Sequence, residues 1–169
     1  MKSIMLLLSA LVLMCISCED GINPGFEDLL YYESASITED HPYVSDGSSI
    51  VIHRHYVAED KEDIQDDEYA EDVFFQIPSS ISSFSYTDSE INDLHFLFKQ
   101  YCYCGLAEGV EVEAGTITGN KLGNGWDINV DVSLRFVYRY DEDSTFLSPE
   151  THQIAFAGNF QKSSKPSGN

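Results

Sequence analysis

The sequence predicts an all-β protein, an antiparallel β-sandwich or barrel of about seven strands with one short helix. Two observations carry this expectation. From Trp126 to Tyr140 residues alternate with a period of two: Trp126, Ile128, Val130, Val132, Leu134, Phe136, Tyr138 and Tyr140 share one face opposite Asp127, Asn129, Asp131, Ser133, Arg135, Val137 and Arg139. A period of two over that length is a β-strand with one buried face. Shorter apolar or alternating segments recur along the chain, separated by turn-forming residues.

In chain order, the first expected strand is Ile50 to Val57, rich in β-branched residues. Val73 to Ile77 and Ile81 to Tyr86 follow. Thr87 to Phe98 reads two ways: Thr87 and Glu90 match a capping box and Ile91, Leu94, His95 and Phe98 have helical spacing, yet Leu94, Phe96 and Phe98 also alternate into Cys102 and Cys104. The favoured reading is a helical turn at about 88–93 followed by a strand. Val110 to Thr118 alternates and leads through Gly119 to Gly125 into the 126–140 strand, so the two read as a long hairpin. His152 to Phe160 closes the set.

The register of that hairpin is open. If Val112 faces Val132, Glu113 opposes Asp131, a like-charge pair that costs stability without a bridging cation. A slide of two residues places Glu111 opposite Arg135, which is favourable without any ion.

Residues 58–72, AEDKEDIQDDEYAED, carry Lys61 among a dense run of Asp and Glu. Such density resists packing and predicts a solvated loop between strands. It also makes calcium the alternative cofactor to none, since hard cations take six to eight oxygens. The glycine that an EF-hand loop requires at its sixth position is absent. The alternative function is therefore a calcium-dependent glycan- or protein-binding module using 58–72.

The N-terminus reads as an address. Lys2, an apolar run from Ile4 to Ile16, and small Ser17 before Cys18 form a signal-peptide pattern. The run falls short of the roughly 20 residues that a membrane-spanning helix needs. Cys15-Ile16-Ser17-Cys18 resembles the lipobox of bacterial lipoproteins, and Glu19 and Asp20 directly after it resemble lipoproteins of the Bacteroidota type. The resemblance implies that Cys18 is lipidated and becomes the mature N-terminus, with the protein anchored at the outer membrane and facing the periplasm or the exterior. Cys15, preceded by bulky Met14, is the poorer anchor. An ordinary cleaved signal releasing a soluble protein is the alternative.

The expected organisation is a signal peptide over 1–17, a lipid-anchored tether over 18–25, a β-rich domain over 26–160, and a disordered tail over 161–169, where QKSSKPSGN has no apolar residue. Cleavage leaves a chain of about 150 residues, enough to bury a core without disulfides.

With 29 Asp plus Glu against 9 Lys plus Arg and a net charge of −20, the chain lacks the basic cluster that nucleic acid requires. The expected partners are the membrane, through the lipid, and an envelope protein or glycan. Ten Tyr, ten Phe and Trp126 could stack on sugar, although Trp126 starts the apolar face of the longest strand and is expected to be buried.

No catalytic residue is expected. There is no G-x-S-x-G elbow, and GNKLGNG at 119–125 joins two strands instead of opening a helix on phosphate. With 29 acids, any glycosidase-like carboxylate pair is meaningless without a fold. His53 and His55 share one strand face and Cys102 and Cys104 another, a combination that could offer zinc two nitrogens and two sulfurs if the strands were neighbours. The plainer expectation is an exposed histidine pair and two cysteines packed as small hydrophobes, because residues i and i+2 of a strand lie about 6.6–6.8 Å apart, the upper limit for a disulfide. The reading that results is a lipid-anchored, non-enzymatic binding, adhesion or structural module, its metal ligands unknown and Cys18 its one assigned site residue.

Overall fold

The computed structural model describes residues 25–41, 43–59, 69–102, 107–141 and 144–166. The expected signal peptide, lipid anchor Cys18 and most of the tether lie outside them, as do residues 60–68 of the acidic run and Cys104.

The protein is all-β. Among the described residues nine strands form one sheet: β1 (Phe26–Ile37), β2 (Val44–Val57), β3 (Ala70–Pro78), β4 (Ser83–Thr87), β5 (Leu97–Tyr101), β6 (Gly109–Leu122), β7 (Gly125–Asp141), β8 (Ser144–Leu147) and β9 (His152–Lys162). The order is β4-β6-β7-β9-β1-β2-β3-β5, with β8 on the same side of β7 as β9 and beyond its end. All pairs are antiparallel except β1 with β9, which meet in parallel at Leu30–Gln161 and Tyr31–Lys162. The sheet is mixed and does not close into a barrel.

β4 and β5 are consecutive in sequence yet occupy opposite edges, and a 3₁₀ helix, Asp88–Leu94, joins them. The sheet curls around a core and this helix lies in the gap, burying Ile91 and Leu94 among residues of β2, β3, β6 and β7. The Glu90 carboxylate accepts from both the N–H and the hydroxyl of Thr87, which starts the helix where the capping box predicts.

The concave face is the main core. Trp126, Ile128, Val130, Val132 and Leu134 of β7 are all buried, as their alternation requires, and pack with Tyr31, Ile52, Phe75 and Phe160. Trp126 is fully buried, so it is core and not a stacking platform.

The convex side of β1, β2 and β3 is covered as well. Tyr32, Ala35, Val44, Val51 and Phe74 form a second buried cluster, with Leu30, Ile37, Tyr43 and Leu97 against it. β1 serves both layers by alternation, Tyr31 on one side and Tyr32 on the other, and Ser34, at φ 52°, interrupts that alternation so that Ala35 and Ile37 fall on the side of Tyr32. The cover comes from residues 38–41 and Tyr43 and from the chain after β9. Ser163 donates its N–H to the Tyr31 carbonyl and Lys165 Nζ donates to the Ser34 carbonyl at 2.9 Å, so the segment expected to fray from Gln161 is held in place as far as Pro166.

The β6–β7 hairpin takes the register that opposes Glu111 to Arg135. A bulge between Val112 and Ala114 then places the Glu113 carboxylate 2.6 Å from Arg135 Nη2, so the like-charge pairing of Glu113 with Asp131 never arises.

Candidate functional site

β2 and β3 run antiparallel, with His55 opposite Asp72 and His53 opposite Phe74. Residues two apart on a strand share a face, so His53 and His55 both project from the convex side with Asp72 beside them. His53 Nε2 lies 2.7 Å and His55 Nδ1 2.8 Å from the same Asp72 oxygen, Oδ1. All three ligand-capable atoms lie within 4.8 Å of one another, and among the described residues this is the one such group of three or more His, Cys, Asp or Glu side chains.

Each member is held by a further contact. The His53 ring stacks on Phe74 with centroids 4.1 Å apart and planes within 11°. Its Nδ1 is 3.2 Å from the Tyr32 hydroxyl. His55 leans on the Phe26 ring at 5.5 Å. The Tyr101 hydroxyl hydrogen-bonds the Asp72 carboxylate, and both burial and that negative charge push the Tyr101 phenol well above its ordinary value, so it stays a donor. Tyr32 is raised likewise, by burial first and then by Asp72 and Asp28. Burial pushes Asp72 up, but the hydrogen bond and charge of His53, with the hydrogen bonds from His55 and Tyr101, outweigh it and leave the carboxyl below its ordinary value.

The three side chains open into a pocket of about 190 Å³, walled by Tyr32, Tyr43, Phe74 and Tyr101 and rimmed by His41 and Pro166. Tyr43 holds a left-handed backbone, φ 60°, in the turn that forms one wall. A non-glycine residue in that region costs about 1–3 kcal/mol and persists only where its surroundings impose it. Here the Tyr43 N–H donates to the Asp40 carbonyl, its carbonyl accepts from Thr38, and its ring packs on Phe74 and His41.

A larger groove of about 520 Å³, lined by Ser48, Ser79, Ser80 and Tyr86, carries Asp93 as its one carboxylate. On the concave side Arg54 pairs with Glu71 and with Glu27 and lies over the Tyr56 and Phe156 rings. Its carboxylates neutralise it in place, so this cluster reads as a structural tie across β1, β2 and β3.

The structure thus keeps the histidine pair and changes its partner. His53 and His55 are not a solvated pair, and the zinc set weighed as an alternative loses Cys102 as a ligand. Cys102 is disulfide-bonded, which removes its thiolate and also corrects the expectation of a free, packed cysteine. β5 is separated from β2 by β3, and Asp72 of β3 takes the place beside the imidazoles. Asp72 and Glu71 were part of the acidic run expected to be solvated, yet β3 begins at Ala70 and buries both. The signal that could have found Asp72 is its place immediately before the apolar run Val73 to Phe75, where it continues the strand.

The chain matches no protein-family model, no curated protein and no solved structure.

Proposed function

We propose that this protein is a lipid-anchored component of the cell envelope, attached through Cys18, that acts as a non-enzymatic binding module and engages its ligand at the convex pocket over His53, His55 and Asp72. The observation that carries the reading is the pocket itself. Aromatic walls with a few convergent polar groups, each fixed by a second contact, are what a binding site is built from. The disulfide at Cys102 fits an oxidising compartment. Among the described residues no helix is long and apolar enough to cross a membrane.

Two experiments test this. Expression with a palmitate analogue should label the wild type, and Cys18→Ser should abolish both the label and sedimentation with membranes. Glycan arrays and envelope pull-downs should give a partner whose capture falls at least about tenfold in Tyr43→Ala, a pocket-wall change. A partner captured equally by the two proteins would place the binding face elsewhere.

A further inference from the structure

We infer that His53, His55 and Asp72 form a site for a divalent first-row transition ion of the zinc class; this deepens the binding reading above and rests on it for the site's purpose. The donor set is two imidazole nitrogens and one carboxylate oxygen, which suits zinc and its neighbours and not calcium or magnesium, whose shells are all oxygen.

Asp72 needs little adjustment, while the two imidazole nitrogens, which lie within 4.8 Å of each other, draw together onto the ion. A tetrahedral ion with bonds of about 2.0–2.1 Å spaces its ligand atoms about 3.3 Å apart. The two histidine-to-Asp72 separations are 2.7 and 2.8 Å, so the carboxylate has to retreat by about half an ångström for the ion to replace the bridging hydrogens.

Proton accounting is local. To ligate through Nε2, His53 must carry its hydrogen on Nδ1, where the Tyr32 hydroxyl is 3.2 Å away and can accept it. His55 must bind through Nδ1, and its side chain is 30% exposed, which leaves solvent to serve Nε2. Stacking on Phe74 fixes the His53 ring plane and Tyr101 holds the carboxylate, the outer contacts that ligating groups require. The pocket leaves room for one or two further ligands, and the chain's charge of −20 draws cations toward it.

The test is calorimetric titration of ZnCl₂ into the full chain, stripped with EDTA and exchanged into metal-free buffer, for the wild type, His55→Gln, Asp72→Asn and the double variant His53→Gln/His55→Gln. The expected result is one tight site per chain, weakened at least tenfold in each single variant and lost in the double, with millimolar MgCl₂ failing to compete. Circular dichroism and melting in EDTA establish that the variants are folded. Weak binding at several sites, or a tight site that survives the double variant, would overturn the inference and move zinc to the surface carboxylates.

The two readings fail separately. A partner that binds the wild type equally in EDTA and in zinc, yet is lost in Tyr43→Ala, would keep the binding module and remove the metal from its function. Tight zinc binding abolished by the double variant, with partner capture unaffected by Tyr43→Ala, would keep the metal site and remove the pocket as the partner's site.

Discussion

His55 stands directly opposite Asp72 in the β2–β3 ladder, and its Nδ1 reaches the oxygen that His53 Nε2 also reaches, so one buried carboxylate serves two imidazoles. Burial alone would raise Asp72; its contacts with His53, His55 and Tyr101 outweigh that and hold it below the ordinary value. A carboxylate depressed by folding contributes stability that is fully present above its unfolded pKa, about 3.9, and is lost as the pH falls through the folded value. Urea melts in EDTA should therefore show the wild type more stable than Asp72→Asn at pH 6, with the gap closing below about pH 4. A gap that stays constant to pH 3 would contradict the contribution assigned to this carboxylate.

Arg54 and Glu71 are both 8% exposed and bonded to each other on the opposite face of the same two strands. Truncating one partner leaves the other charge buried, so Arg54→Met should cost about 3–5 kcal/mol, and the double change Arg54→Met/Glu71→Leu should cost less than Arg54→Met alone. Chemical denaturation of the three proteins checks this, and a double variant less stable than the single one would count against an ion pair that matters through its desolvation.

Gly115 adopts φ 136° just after the β6 bulge, and a Cβ there would sit 2.3 Å from the Asp131 carbonyl oxygen. Its N–H donates to the Asp88 carboxylate at 3.0 Å, which ties the 3₁₀ helix to β6. Gly115→Ala should destabilise the protein by at least about 1–3 kcal/mol from backbone strain alone. Hydrogen exchange should localise the loss to residues 88–94 and the hairpin, and exchange unchanged in that helix would argue against the tie.

Leu134 is fully buried on the apolar face of β7, where it opposes Val112 and His152. Leu134→Ala removes packing that nothing nearby replaces and should cost about 2–5 kcal/mol in a thermal or urea melt. A cost below 1 kcal/mol would mean that the concave core collapses around the gap.

What could be read from the sequence depended on how many faces of a strand are buried. β7 buries one face, so its alternation is visible and its core residues follow directly. β1 buries Tyr31 on the concave side and Tyr32 on the convex side, and its run FEDLLYYESASI loses the period of two that identifies a strand. β8 is the opposite case, four exposed residues with no buried face to mark. The sheet also holds more strands than the seven expected, and its order was out of reach, because the return of β9 beside β1 depends on curvature that no local pattern encodes.

The site was legible in part for the same reason. That His53 and His55 share a face follows from their spacing, but their neighbour depends on strand order. The sequence offered cysteines for the role, while β3 brings Asp72. Composition hid that residue within an acidic run, and the pocket's lining includes His41 and Tyr43, the end of β5 and the chain after β9, segments far apart in sequence.

The most direct measurement of the central claim is X-ray absorption at the zinc edge on the full chain loaded with one equivalent of zinc. The account predicts a shell of nitrogen and oxygen at about 2.0–2.2 Å with outer scattering from two imidazole rings. An oxygen-only shell without imidazole scattering would place the metal on carboxylates and contradict it.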